Sequence, residues 1–215
     1  MCEINANYAL WGRVGDIILI SAIILASGYS RRMSKNKLFL EYKGKTLIEH
    51  TIEVIKQCCF LEVIIVAREE EIIEIGKRNG LKVIENENAI KGISESVKLG
   101  VMHTTETDGY MFFTADQPFL DKDTIKGIIC KFGQNSNYII VPRCEGRRGN
   151  PVIFPCVFKE DFLKLKGDVG GKIIINKNLE KVKFVEIQDS AKLFDIDTNE
   201  NYDYILKLEE NNEYV

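Results

Sequence analysis

Short apolar runs alternate with amphipathic segments along most of this chain, and that alternation constrains the fold more than any other feature. The runs at residues 17–26, 61–67, 82–84, 109–115 and 138–141 are rich in Ile, Val and aromatic residues. Between them the apolar period is helical. Leu47, Ile48, Ile52, Ile55 and Cys59 recur on one stripe, with Glu49, His50, Glu53 and Lys56 elsewhere on the wheel, which reads His50 as a surface residue. Residues 69–79 form a second helical segment, ended by Gly80 in the position that favours a left-handed turn. Ile93, Val97 and Val101 make the buried stripe of a third, closed by His103. A fourth starts at the cap Asp121 and carries Ile125, Ile128, Ile129 and Phe132 to Gly133. Later runs at 182–187 and 193–196 read as strands, after which Asp197-Thr198 opens a C-terminal helix bearing Tyr202, Ile205 and Leu206. Strands alternating with helices predict an α/β fold, a mostly parallel sheet with helices on both faces. Ligands of such sheets sit beyond the carboxyl ends of the strands, at the switch point in strand order.

The first run stops abruptly at Ser27-Gly28, and Arg31, Arg32, Lys35 and Lys37 follow within a few residues. A glycine turn bearing cations, placed straight after a buried strand, suits a polyanion such as a nucleoside triphosphate. A solvated basic turn is the plainer alternative, and Arg31 and Lys35 fit it. GxGxxG and GxxxxGK[ST] are both absent, so side-chain charge must do the phosphate binding rather than a glycine nest. Gly92, Ser94 and Ser96 open the third helix and look outward from its N-terminus, a second place to meet an anionic ligand or simply a polar helix start.

Asp116 leaves the run 109–115 and precedes Gln117-Pro118, so it reaches the same sheet edge as the basic loop. A triphosphate there needs magnesium, which takes one or two carboxylates together with phosphate oxygens and waters. Asp116 is the first ligand expected, with a turn-forming role as the alternative. A second carboxylate is expected from Asp195-Ile196-Asp197, where strand alternation would aim only one of the pair at the metal. Asp197 could equally cap the last helix, with Glu200 completing a capping box. The reaction suited to these parts is attack by an acceptor phosphate on the α-phosphorus with loss of pyrophosphate, which needs positioning and charge but no nucleophilic side chain. No Ser-His or Cys-His pair is evident.

The remaining features narrow the class. A net charge of −3 argues against a nucleic-acid binder, the cations being concentrated in the opening loop and at Arg143, Arg147 and Arg148. Six cysteines without CxxC spacing and two histidines, neither near a cysteine, argue against structural zinc and for reduced thiols in the cytoplasm. Cys58, Cys59 and Cys130 fall on helical segments as small hydrophobes. The run 17–26 is too short to span a bilayer, and its removal as a leader would discard the strand that carries the loop. No repeat or linker divides the chain. Residues 1–19 read as an extension, which Trp11 could dock, ahead of a single domain over 20–215.

Five motifs in order carry a family resemblance. Leu25-Ala26-Ser27-Gly28-x-Ser30-x-Arg32-Met33-x-x-x-Lys37 resembles the LAAGxSxRMGxxK signature of the molybdenum cofactor nucleotidylyltransferases, particularly the cytidylyltransferase branch. Ala115-Asp116-Gln117-Pro118 is similar to its GDQP, Gly149-Asn150-Pro151-Val152 to its RGHPV, Gly167 to Lys172 to its GDxGAR, and Asp195 to Thr198 to its DIDTPED. Departures are Ser34 for Gly, Ala115 for Gly, Asn150 for His, Lys172 for Arg and Asn199 for Pro. The resemblance implies a nucleotidyltransferase-type, Rossmann-like fold and transfer of a nucleotide, CMP from CTP in that branch, onto the phosphate of molybdopterin. It implies nucleotide contacts from Leu25, Ala26, Ser27, Gly28, Ser30, Arg32 and Lys37, joined by Gly92 and Ser96, with Arg32, Lys37 and Asp116 as the catalytic set. Asp116 and Asp197 would hold Mg2+, while Gly149, Asn150, Pro151 and Asp168 would face the acceptor. A molybdenum hydroxylase is the partner it implies. The rivals are a cytidylyl- or guanylyltransferase acting on a sugar or polyol phosphate, and a non-catalytic carrier of nucleotide or pterin. Lys37, Asp116 and Asp197 favour the enzyme, because a carrier needs no metal–triphosphate site.

Overall fold

The computed structural model describes residues 18–29, 33 and 36–210. The five apolar runs become β1 (Ile20–Ala26), β4 (Glu62–Ala67), β5 (Lys82–Glu85), β6 (Gly109–Thr114) and β7 (Ile139–Cys144), while β2 (Glu41–Tyr42) and β3 (Lys45–Thr46) form a separate small hairpin. Beyond them lie β8 (Arg147–Arg148), β9 (Val152–Pro155) and β10 (Val182–Glu186). The main sheet runs β10-β7-β9-β6-β1-β4-β5, with β8 paired to β7. Every strand of that row is parallel except β9, which lies antiparallel between β6 and β7. β4 and β5 extend the sheet to one side of β1 and β6 extends it to the other, which puts the switch point at the carboxyl ends of β1 and β6.

The helices are α1 (Leu47–Lys56), α2 (Glu70–Arg78), α3 (Ile93–Met102), α4 (Lys122–Gly133), α5 (Lys159–Leu163), α6 (Gly171–Lys177) and α7 (Asn199–Glu210). Alternation along β1 decides which of them each residue meets. Ala22, Ile24 and Ala26 face a core built with Ile48 and Ile52 of α1, Ile72 of α2 and Ile125, Ile128 and Phe132 of α4. Ile23 faces Val97 and Val101 of α3, Phe162 of α5 and Ile174 of α6 on the other side. Contact there is close, since a Cβ on Gly100 of α3 would lie 2.5 Å from Ile23. The expected layering, helices on both faces of a mostly parallel sheet, is therefore what the chain adopts. α7 joins neither face. Its Ile205 and Leu208 pack with Tyr42, Leu47, Phe119 and Ile196 in a third cluster.

Several local expectations change. Residues 193–196 form no strand. Ser190–Leu193 is a 3-10 turn, and the segment after it crosses the end of β6, held by the Ile196 N–H donating to the Asp116 carbonyl at 3.0 Å. Ile93, assigned to the buried stripe of α3, is partly exposed, because α3 begins there and its first turn faces a cleft. His50 is half-buried with Nε2 2.6 Å from the Tyr42 carbonyl, tying α1 to the hairpin. Helix α1 stops at Lys56, which leaves Cys58 and Cys59 in the following turn. Leu19, placed in the extension, is bonded to the residue before β6, at the amino end of β1: its N–H donates to Asp108 Oδ2 at 2.8 Å. Ser30, Arg31, Arg32, Lys35 and Trp11 lie outside the described residues. No helix among the described residues is long and apolar enough to cross a membrane.

Candidate active site

β1 and β6 are neighbours in register, Leu25 opposite Thr114, so the residues that follow them, Ser27-Gly28 and Asp116, leave the sheet side by side. The Ile196–Asp116 backbone bond then lays Asp195 and Asp197 across the same edge. Lys37 arrives from the basic loop, on a short 3-10 turn whose start is capped by Asn36 Oδ1 accepting from the Leu38 N–H at 3.1 Å. Its ammonium donates to Asp116 Oδ2 and, at 2.8 Å, to Asp197 Oδ1. Burial alone would lower the Lys37 pKa, but the charges and hydrogen bonds of Asp116 and Asp197 outweigh it and hold the ammonium above the usual lysine value.

The competing cap reading of Asp197 does not hold. Thr198 Oγ1 accepts from the Asn201 N–H at 3.3 Å, and Asn201 Oδ1 accepts from the N–H groups of Asp197 and Thr198, both at 3.2 Å. Thr198 and Asn201 thus close the start of α7 between them, and the Asp197 carboxylate is turned to Lys37. Asp195 also reaches the site. Its Oδ1 accepts from Thr114 Oγ1 at 3.4 Å, and burial, with the charges of Asp116 and Asp197 behind it, pushes its pKa up to about 7. The argument that admitted only one of Asp195 and Asp197 fails on two counts: residues two apart in a strand share a face, as Ala22 and Ile24 do, and the segment is not a strand.

Asp116 Oδ1 is buried and has no hydrogen-bond partner, an uncompensated acceptor aimed at no protein group. Among the described residues no three His, Cys, Asp or Glu side chains form a ready-made metal cage. Magnesium does not require one, since phosphate oxygens and waters complete its shell around one or two carboxylates. An orphaned Asp116 oxygen with Asp197 beside it fits that need, and these two could hold the ion.

A cavity of about 480 Å³ opens over this group, lined by Leu25, Ser27, Gly28, Lys37, Gly92 and Ser96 as well as Asp116 and Asp197. Ala26, expected at the nucleotide, is instead buried against the α1 and α4 side of the sheet, as alternation after Leu25 requires. Both serine hydroxyls lining the cavity are already held. Ser27 Oγ donates to the Val66 carbonyl at 3.0 Å, and Ser96 Oγ accepts from Asn86 Nδ2 at 3.0 Å. Gly92 is glycine for a nearby reason: its φ is +107° and a Cβ would sit 2.4 Å from the Gly167 carbonyl carbon. Across that contact Ile93 N–H donates to Asp168 Oδ1 and Ser94 N–H to the Gly167 carbonyl, both at 3.3 Å. The outward-looking start of α3 is therefore closed by the chain itself. Tyr29 and Arg68 went unnoticed in the sequence. Tyr29 lines the cavity with the Arg68 guanidinium 4.0 Å from its ring centre, and the usable signal was Arg68 directly following a strand on the ligand edge.

A second cavity, of about 870 Å³, adjoins the first and shares Leu25, Ile93, Thr114 and Asp168 with it. Phe112, Phe154 and Phe162 form its floor, the first two edge to face at 5.8 Å. Gly149 and Asn150 line it, along with Arg148, Lys172 and Asn176, which the sequence did not single out as site residues. Pro151, expected at the acceptor, is buried behind Asn150, joined to it by a cis peptide bond. Reversed β9 brings this turn to the ligand edge, and Gly149 fits against Leu193, where a Cβ would lie 3.0 Å from its side chain. Arg148 Nη1 donates to Asn176 Oδ1 at 3.0 Å and joins β8 to α6 at the rim.

Residues 22–182 match the model of the MobA-like NTP transferase domain. A probable molybdenum cofactor guanylyltransferase of Natranaerobius thermophilus is 28% identical over 87% of this chain and 95% of its own length. The purine catabolism protein PucB of Bacillus subtilis is 30% identical over 85% and 94%. The molybdenum cofactor cytidylyltransferase of Escherichia coli is 24% identical over 85% and 93%. Among solved structures, a nucleotidyl transferase of Methanothermobacter thermautotrophicus superposes with a TM-score of 0.75 at 21% identity, covering 88% of this chain and 98% of that one, a likeness of fold.

Proposed function

The chain belongs to the MobA-like NTP transferase family, and from that premise we propose that it transfers a nucleoside monophosphate from a triphosphate onto the phosphate of molybdopterin, in a magnesium-dependent reaction. The observation that carries this reading is the meeting of Lys37, Asp116 and Asp197 in the first cavity, which borders the second along Leu25, Ile93, Thr114 and Asp168. The first cavity would take the nucleotide and the second the acceptor, so that the α-phosphorus lies between them. An acceptor phosphate oxygen forms the new bond to the α-phosphorus as the bond to the bridging oxygen breaks and pyrophosphate leaves. Asp116 and Asp197 would hold Mg2+, which supplies charge neutralisation at the transferring phosphate. Lys37, with Arg32 from the same loop, would neutralise the triphosphate, while Gly28 and Leu25 border it. The apolar floor of the second cavity suits a flat heterocycle, with Arg148 and Lys172 at its rim suiting the phosphate.

The finer assignment is CTP. Ser27 stands where the resemblance has alanine in cytidylyl enzymes and glycine in guanylyl ones, and its buried side chain, fixed on the Val66 carbonyl, takes space a purine would use. Relatives named for each nucleotide exist, so the base is decided by measurement. The test is pyrophosphate release with CTP, GTP, ATP and UTP in turn, with magnesium and molybdopterin, the protein being expected in the cytoplasm. CTP should lead, and turnover with GTP at a comparable rate removes the cytidylyl assignment. Release only with a sugar or polyol phosphate as acceptor favours that rival, and release with none of these leaves the carrier reading, in which a nucleotide or pterin is bound and cofactor is handed to a partner hydroxylase.

A further inference from the structure

Lys37 holds the two carboxylates with which a divalent cation would be bound. Its Nζ donates to Asp116 Oδ2 and, at 2.8 Å, to Asp197 Oδ1, so a single positive charge already lies between the groups. We propose that Lys37 is a placeholder cation: without nucleotide it occupies the carboxylate pair, and it yields the pair to a metal only when a triphosphate offers its ammonium other oxygens. This rests on the nucleotidyltransferase reading and adds to it a rule for the order of binding.

The argument is electrostatic. Asp116 is buried and Asp197 half-exposed, and carboxylates brought together without a cation between them repel. An ammonium on a flexible four-carbon stem is a compact point charge that can serve either site. Lys37 lines the first cavity, and its backbone is anchored by the 3-10 turn, so its head can turn toward a ligand there without moving the chain. A divalent ion arriving alone must displace the ammonium from the two carboxylates it is bonded to, or share the pair with a like charge. Either alternative weakens metal binding. A triphosphate removes the conflict by supplying acceptors for the ammonium and further ligands for the metal in one step. Metal and nucleotide therefore promote each other's binding, and by linkage the factor is the same in both directions. Asp116 Oδ1, buried without a partner, is the oxygen left open to the metal.

The experiment measures metal binding with no turnover involved. Mn2+ alone serves as the probe, followed by electron paramagnetic resonance of the free ion and by calorimetry, on the full chain without nucleotide. Lys37→Met should bind Mn2+ about tenfold or more tighter than the wild type, as expected when one like charge is removed from the site. A non-hydrolysable triphosphate should tighten Mn2+ binding strongly in the wild type and by a smaller factor in the variant. Adding Asp116→Asn to Lys37→Met should abolish the gain. Lys37→Gln, which keeps a donor for Asp116, covers failure of the methionine variant to fold, and Mn2+ should raise its Tm more than that of the wild type. Mn2+ binding by the lysine variants no tighter than by the wild type overturns the proposal, and so does a gain that survives Asp116→Asn. Absence of pyrophosphate release by the wild type with every triphosphate and acceptor removes the transferase reading instead, whatever the Mn2+ result.

Discussion

The two adjoining cavities are built on different principles. Around the first, the polar groups are held by the protein itself: Ser27 by Val66, Ser96 by Asn86, Lys37 by Asp116 and Asp197. Around the second, the polar groups Arg148, Lys172 and Asn176 are exposed, stand on short or late elements, and rim a floor of phenylalanines. A preorganised first cavity suits a partner common to many reactions, a triphosphate, whereas exposed side chains on the short β8 and α6 can be exchanged without disturbing the main strands. Two of the departures from the family signature, Asn150 and Lys172, line the second cavity. On the proposed reading, acceptor choice would be a property of the rim, and nucleotide transfer a property of the sheet edge.

The largest expected effect tests the sheet edge. Asp116→Ala should lower the rate of pyrophosphate release on the order of 10²–10³ or more, as for deletion of a preorganised electrostatic group, with Tm and circular dichroism still those of a folded protein. If the loss is under tenfold, the first cavity does not carry the chemistry and the contrast collapses. Asp197→Asn comes next. Since Thr198 and Asn201 close α7, the variant should melt near the wild type while needing more magnesium. A drop in Tm without a change in magnesium dependence would make it structural.

On the other side of the comparison, Arg148→Ala and Lys172→Ala should raise KM for the acceptor by about tenfold each, the scale of a lost charged contact, with KM for the triphosphate unchanged. Equal changes in both constants would mean that the cavities do not divide the substrates. Ser27→Gly should narrow the preference for CTP over GTP by roughly 1–3 kcal/mol or less, the span of one pocket contact, measured as a ratio of kcat/KM values. The smallest effect is a control remote from both cavities. Hydrogen bonds from the Thr46 hydroxyl and then its backbone N–H hold the Glu49 carboxyl below its usual pKa. A depressed carboxyl contributes stability above its unfolded pKa and loses it as pH falls through the folded value. Glu49→Gln should therefore lower Tm slightly at neutral pH, the gap closing in acid, with kinetics untouched.

The sheet was legible because its strands declare themselves as apolar runs and its helices as a 3.6-residue period, and both signals are local. Asp116 and Lys37 were legible because each follows from a strand end or a run of charge. The position of Asp195 was not. Its approach to Asp116 depends on a backbone hydrogen bond between Ile196 and Asp116, and nothing in either local stretch announces it. Reading 193–196 as a strand went wrong for the same reason, since an extended apolar segment clasped across a strand end has the composition of a strand. Arg148 and Lys172 were visible as charges, but their shared rim needs reversed β9 and the close fit of Gly149 on Leu193, both long-range. Ala26 shows the opposite error, where a motif match outvoted the alternation that turns every second residue of β1 toward α1 and α4.

The Ile196–Asp116 clasp has a consequence for how the protein is made. Lys37 and Asp197 are 160 residues apart, and Asp197 joins the site only after the last strand has been laid down. During synthesis the sheet edge, the basic loop and Asp116 can all emerge from the ribosome and settle while the second carboxylate is still missing. A nascent chain at that stage would have the proposed nucleotide contacts and lack the second of the two carboxylates proposed to hold the metal. On the proposed reading, competence for transfer would arrive as a final event of translation, and a chain cut short before residue 195 would lack both Asp197 and the Ile196, Ile205 and Leu208 side chains of the third cluster.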